Sequence, residues 1–225
     1  MARDRVYRLV IAVMKVLTRT VSQTSIKEAP GTPSRDSFGI IVLNHISLLD
    51  PLVVGGSLGA RVRIHALAKD SLFSTPVIGY FMKKMDHIPV YRNSDRAVDA
   101  LHDAIRGVRD GKTVALYPEG TIPKDEPLRF KTGGARIAIE AGAPVTPIGQ
   151  WGIQEAFPAK RGHRLRHLLK AIFKKPRHVL VIGESLVPSP GESVEGLTRR
   201  IQESVEALTA QARELVLQGH KKALL

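Results

Sequence analysis

Residues 40–51 read Ile-Ile-Val-Leu-Asn-His-Ile-Ser-Leu-Leu-Asp-Pro. The continuous apolar run Ile40–Leu43 has the pattern of a strand buried on both faces, the pattern of a parallel sheet covered by helices. Asn44 ends the run. Ser47-x-x-Asp50 has the form of a capping box, so a helix is expected to begin at Ser47. His45 then stands at the carboxyl edge of a sheet, just before a helix N-terminus, where open α/β sheets place their ligand crevices. Two readings of His45 and Asp50 follow. In one, Asp50 only caps the helix and His45 is an ordinary loop residue. In the other, Asp50 reaches back to the imidazole, fixes its tautomer and leaves the second nitrogen to take a proton.

Further apolar runs repeat the pattern along the chain. Candidate strands are 38–43, 62–67, 87–91, 113–117, 145–149 and 178–182. Candidate helices lie near 48–57, 76–85, 95–109, 133–141, 163–173 and 192–217. Strands alternating with helices predict an α/β single domain with a mostly parallel mixed sheet flanked by helices. Residues 22–37 are rich in Ser, Thr, Pro and Gly and read as a linker, which places an N-terminal helical segment at 1–22 and a main domain at 38–218. There is no Gly-x-Gly-x-x-Gly or Walker loop, so a nucleotide-binding version of the architecture has no support.

The chain has 225 residues and is 43% apolar, enough for one substantial core. It has no cysteine, which excludes disulfides, thiolate nucleophiles and cysteine-bound metals. Lys and Arg number 34 against 21 Asp and Glu, a net charge of +13 that points to an anionic partner. No run reaches the roughly 20 apolar residues that span a bilayer. Arg3, Arg5 and Arg8 precede the apolar stretch 9–14 as in a signal peptide, but Lys15 interrupts it and no cleavage pattern follows. At 100° per residue, Arg5, Arg8, Lys15 and Arg19 share one helix face and Val6, Leu9, Val10, Val13, Val16 and Leu17 cover the other. Such a helix either packs on a core or lies in a membrane interface. Residues 160–178 hold eight Lys/Arg and no acid, with Leu165, Leu168, Leu169, Ile172 and Phe173 at helical spacing. The accompanying apolar stripe favours an anionic membrane surface over nucleic acid, for which no helix-turn-helix, zinc-knuckle or RNA-recognition pattern is present.

Other strand ends carry chemistry as well. Tyr117-Pro118-Glu119-Gly120-Thr121 follows one strand and supplies a carboxylate with turn backbone. Phe130-Lys131-Thr132-Gly133-Gly134 adds a cation and a flexible backbone. Arg92 ends the run His87-Ile88-Pro89-Val90-Tyr91, and a guanidinium suits bidentate phosphate binding.

Taken together these blocks resemble the glycerolipid acyltransferases of the 1-acylglycerol-3-phosphate acyltransferase type. Asn44, His45 and Asp50 match the family's Asn-His-x-x-x-x-Asp block, with Ser47 also typical. Residues 86–92, 117–122 and 143–147 are similar to its second, third and fourth blocks, in order, and Lys69 and Lys131 fall where the family has such residues. The resemblance runs from about residue 38 to 185. Ile122 stands where many members have Arg or Ser, and Tyr117 where Phe is usual. The resemblance implies a glycerol-3-phosphate acyltransferase-like fold and transfer of an acyl group from acyl-CoA or acyl-carrier protein to the sn-2 hydroxyl of a lysophospholipid. Lysophosphatidic acid is the default acceptor, with glycerol 3-phosphate or another lysophospholipid as alternatives. It implies His45 as base and Asp50 as its orienting group. Arg92, Glu119, Gly120, Thr121 and Lys131 would hold the glycerol phosphate. Backbone N–H groups near the helix start would stabilise the oxyanion. It implies neither a metal nor a resident cofactor, and a peripheral position on the cytoplasmic face of a membrane. A basic nucleic-acid-binding protein and a catalytically inert lipid-surface protein are the readings of other classes.

Overall fold

In the computed structural model, residues 2–34, 38–92, 96–123, 128–157 and 164–222 are described. Residues 35–37 of the expected linker, residue 95 of one candidate helix and residues 160–163 of the basic segment lie outside these ranges.

A seven-stranded sheet of order β1-β7-β6-β2-β5-β3-β4 organises the molecule. Its strands are β1 (Gln23–Glu28), β2 (Ile40–Leu43), β3 (Ile64–Lys69), β4 (Ile88–Val90), β5 (Thr113–Leu116), β6 (Val145–Trp151) and β7 (Arg177–Ile182). All neighbouring pairs are parallel except β6 and β7. The expected α/β class with a mostly parallel mixed sheet is therefore the observed one, and the six expected strands are present with shifted ends.

The alternation of side chains in β2 divides the core into two layers. Ile40 and Val42, with Val114, Leu116 and Val145, pack under α4 (Ala97–Arg109), α5 (Gly133–Ala141) and the first half of α7 (Val194–Lys222). Ile41 and Leu43, with Ile64, Ala115, Ile148, Leu180 and Ile182, pack under α2 (Asp50–Leu58) through Val54 and Leu58. All four side chains of β2 are buried, which explains why its sequence is an uninterrupted apolar run. Farther along α7, Leu208, Ala212 and Val216 cover Val179 and Val181 of β7.

Two close approaches depend on glycine. A Cβ at Gly149 of β6 would lie 2.2 Å from backbone atoms of Leu208 and Thr209, so α7 crosses the sheet in contact with the strand itself. On α2, Gly55, Gly56 and Gly59 leave room for Met14, Thr18 and Ile11 of α1 (Ala2–Val21). The Tyr7 hydroxyl also donates to the Gly59 carbonyl at 3.1 Å.

The linker reading of residues 22–37 is corrected. Residues 23–28 form β1, an edge strand running parallel to β7 in the register Gln23↔Arg177 to Glu28↔Ile182. Its sequence, QTSIKE, offers only Ile26 to the core and so carries no hydrophobic signal; the backbone ladder holds it. The expected faces of α1 are also corrected. Tyr7, Ile11, Thr18 and Val21 are buried, whereas Leu9 (64% exposed), Val13, Val16 (60%) and Leu17 face outward. Helix α1 thus packs on the domain by one apolar face and presents a second. The remaining outer helices, α3 (Pro76–Lys84) and α6 (Arg164–Lys174), likewise leave Val77, Ile78, Tyr80, Ile172 and Phe173 exposed. Among the described residues, no helix is long and apolar enough to cross a membrane.

Candidate active site

Strand β2 stops after Leu43 because the chain turns at Asn44. The Asn44 side chain substitutes for the next rung of the sheet: Nδ2 donates to the Gln150 carbonyl at 3.0 Å and Oδ1 accepts the Gln150 N–H at 2.9 Å. His45 follows at the carboxyl edge, as its position in the sequence predicts.

The helix starts later than expected. Its first residue is Asp50, preceded by Leu49, which makes no side-chain cap, with Pro51 in the first turn. The capping-box reading is therefore replaced. Ser47 Oγ accepts the Leu49 N–H at 3.2 Å and donates to the Phe157 carbonyl at 2.7 Å, so it pins the loop rather than the helix end. The carboxylate of Asp50 faces backward into that loop. Its Oδ2 accepts from His45 Nδ1 at 2.7 Å, from the Ile46 N–H at 2.7 Å and from the Ser47 N–H at 3.0 Å. Asp50 is fully buried. Burial pushes its carboxyl above the usual range, and the hydrogen bonds from His45, Ser47 and Ile46 oppose that push.

With Nδ1–H committed to Asp50, the neutral imidazole keeps its lone pair on Nε2. The His45 side chain is 17% exposed, enough for a substrate to reach it. Tyr117 stacks on the ring with centroids 4.1 Å apart and planes 18° from parallel. An aromatic face there fixes the imidazole plane and stabilises the imidazolium through the ring quadrupole.

Glu119 comes from the turn after β5. Its Oε1 accepts the His45 backbone N–H at 3.3 Å, which ties the carboxylate loop to the end of β2. Burial, with a smaller contribution from the charge of Asp50, raises its carboxyl to about 7. Among the described residues, Glu119 Oε2 and Asp50 Oδ1 are buried without a protein partner. Gly120 adopts φ +71°, and a Cβ there would fall 2.8 Å from Lys131 Nζ, so glycine lets the ammonium close over the turn.

His45, Asp50, Glu119, Gly120 and Lys131 are therefore joined through direct neighbours. Thr121 is exposed beside Gly120. Arg92 is exposed just past β4, and the sheet order puts that strand three places from β2. The structure does not connect Arg92 to His45 by a hydrogen bond or ion pair among the described residues. Gly133 and Gly134 are not a flexible stretch but the first turn of α5, with Gly134 buried against Val42 and Leu116. The N–H groups expected to serve an oxyanion are largely engaged: those of Ile46 and Ser47 by Asp50, that of Leu49 by Ser47, and that of His45 by Glu119. Sequence reasoning missed the stacking role of Tyr117 and the Asn44–Gln150 clamp. An aromatic residue two positions before Glu119 was the available signal for the first; nothing in the sequence points to the second.

A buried carboxylate holding one nitrogen of an accessible imidazole is an arrangement for removing a proton from a hydroxyl. A family model described as Acyltransferase matches residues 21–151. The chain is 35% identical over 157 residues to a chloroplastic 1-acyl-sn-glycerol-3-phosphate acyltransferase of Brassica napus, covering 68% of this chain and 45% of that protein. It is 26% identical over 210 residues to the 1-acyl-sn-glycerol-3-phosphate acyltransferase of Bacillus subtilis, covering 93% of this chain and 96% of that one. The crystal structure of the 1-acyl-sn-glycerophosphate acyltransferase PlsC from Thermotoga maritima superposes with a TM-score of 0.75 at 27% identity, over 95% of this chain and 81% of that chain. The chain spans less than half the length of the Brassica relative.

Proposed function

The chain belongs to the acyltransferase family, and on that premise we propose that it moves a fatty acyl group from an acyl thioester to the sn-2 hydroxyl of 1-acylglycerol 3-phosphate, giving phosphatidic acid. The observation that carries the reading is the 2.7 Å bond between His45 Nδ1 and the buried Asp50, which leaves Nε2 as the base. In this mechanism Nε2 takes the hydroxyl proton as the oxygen attacks the thioester carbonyl. The tetrahedral intermediate collapses with loss of the thiolate, and His45 returns the proton to the sulfur. Asp50 and the face of Tyr117 stabilise the imidazolium between the two transfers. No covalent acyl-enzyme is needed: the chain has no cysteine, and the hydroxyl of Ser47 is tied to the Phe157 carbonyl.

Lys131 and the turn Glu119–Thr121 are assigned to the glycerol phosphate. Arg92, past the end of the edge strand β4, is assigned to the same phosphate or to the donor, whose coenzyme or carrier-protein phosphate is also anionic. The acceptor is reached from the surface of an anionic membrane, on the cytoplasmic face. Leu9, Val13, Val16 and Leu17 of α1 would enter the interface with its Arg and Lys residues on headgroups.

The test is turnover of lysophosphatidic acid with an acyl-CoA by purified His45→Ala protein. A loss of about 10² to 10⁴-fold is expected for a general base; turnover near wild type would sink the assignment. A panel including glycerol 3-phosphate and other lysophospholipids, read by lipid mass spectrometry, identifies the acceptor.

A further inference from the structure

The clamp between Asn44 and Gln150 extends through the sheet. Besides the two bonds from the Asn44 side chain, Gln150 Nε2 donates to the Asn44 carbonyl at 2.8 Å. Gln150 Oε1 lies 3.2 Å from His178 Nε2 on β7, and His178 Nδ1 lies 3.3 Å from Thr24 Oγ1 on β1. Thr24 Oγ1 is 2.8 Å from Ser22 Oγ. Gln150 and His178 are fully buried, and Asn44 nearly so.

Hydrogen counting fixes the direction of this series. The amide nitrogen of Gln150 serves the Asn44 carbonyl, so its oxygen faces His178 and must accept from it. Burial pushes the His178 imidazole down to about 3, so the ring is neutral and has one N–H. That N–H is on Nε2. Nδ1 then accepts from the Thr24 hydroxyl, while the Ser22 hydroxyl lies within reach of both the Thr18 carbonyl at 3.2 Å and Thr24 Oγ1. Every donor in the series Thr24, His178, Gln150 faces the same way, toward the carbonyl of Asn44. Aligned hydrogen bonds in a low-dielectric interior polarise one another. The peptide at the end of the series is the one that joins Asn44 to His45, and its N–H donates to Glu119.

We propose that Gln150, oriented by His178, is a positioning residue for the reaction: it fixes and polarises the Asn44–His45 peptide, from which the imidazole hangs and to which Glu119 is bound. The inference rests on the assignment of His45 as the base. Gln150 touches neither substrate nor the reacting atoms, so its effect falls on kcat and not on the KM for the acceptor.

Three measurements test it. Nitrogen-15 NMR of the full-length wild-type protein, with His178 assigned by comparison with His178→Gln, is expected to show His178 neutral and protonated on Nε2 at pH 7. The opposite tautomer overturns the proposal. Gln150→Met removes the donor to the Asn44 carbonyl at similar volume, and kcat is expected to fall about tenfold, the scale of one lost hydrogen bond. Unchanged kcat, or a tenfold rise in the acceptor KM in its place, also overturns it. Gln150→Glu can accept from His178 and, when protonated, donate to Asn44. It is expected to exceed the Gln150→Met protein in kcat, most at the acidic end of the profile. A Gln150→Glu protein no better than Gln150→Met at any pH counts against the proposal. If neither variant folds, the wild-type His178 spectrum decides. Retained turnover in His45→Ala would remove the catalytic premise, while the His178 tautomer would still report on the hydrogen-bond series.

Discussion

Asp50 Oδ2 takes three hydrogen bonds, and two of them come from the backbone of the loop that carries the imidazole. The carboxylate is thus both the orienting group and the anchor of the loop. Asp50→Asn retains an acceptor for the Ile46 and Ser47 N–H groups but removes the charge that stabilises the imidazolium. We expect kcat with lysophosphatidic acid to fall by at least about two orders of magnitude with the acceptor KM little changed; steady-state kinetics at saturating donor check this. Glu119 makes a separate prediction. Burial raises its carboxyl from 4.5 to about 7 in the folded protein, so folding favours the protonated form. The resulting contribution to stability is fully present below pH 4.5 and is lost as pH rises through 7. Glu119→Gln has no such dependence. The Tm of the wild type is therefore expected to fall relative to that of Glu119→Gln between pH 4.5 and 7, as measured by calorimetry across that range. Local signals, an apolar strand followed by a loop, brought His45 and Asp50 forward but left their pairing open, and the helix start expected at Ser47 lies at Asp50. The Tyr117 stack and the Gln150 clamp were not legible, because each depends on which strand ends become neighbours in space.

Among the elements, β1 and α2 show where sequence patterns lose their force. Strand β1 lies at the sheet edge and buries little, so period-two hydrophobicity is missing and its Ser and Thr content imitates a linker. Helices α3, α4, α5, α6 and α7 were legible to within a few residues; α4, α5 and α7 each bury an apolar stripe against a core, whereas the residue that α3 buries is Gly79. The glycines of α2 form the seat of α1. At Gly149 the equivalent contact is with the α7 backbone, which cannot rotate away. Gly149→Ala is expected to destabilise the fold by about 2–3 kcal/mol, the scale of overpacking, with the loss read from urea midpoints at unchanged slope. A midpoint equal to that of the wild type would mean that α7 does not press on β6.

For the molecule as a whole, the asymmetry of exposed apolar side chains is the main feature bearing on its environment. The outer helices α1, α3 and α6 carry most of them, whereas among the described residues the large apolar side chains exposed on α4 and α7 are Val98 and Leu217. The net charge of +13 gives an anionic surface a reason to meet this protein. Because Tyr7 and Ile11 are part of the interior, removing α1 outright would damage the fold along with any docking surface. The cleaner change is Leu9, Val13, Val16 and Leu17 to Ser, all on the outward face. We expect this variant to keep the wild-type Tm within a few degrees and to lose most sedimentation with anionic liposomes at 0.1 M salt. Undiminished binding would exclude α1 as the docking element. The pairing of β1 with β7 has a further consequence, in time rather than in space. Thr24 meets His178, a partner 154 positions later in the chain. On a ribosome, the polar edge strand must wait for residues 177–182 to be made, while α2, the seat of α1, emerges soon after α1 itself. Helix α1 can therefore meet its seat on α2 early, whereas Met85, which shares a buried cluster with Tyr7 and Ile11, and the sheet edge at β7 come later.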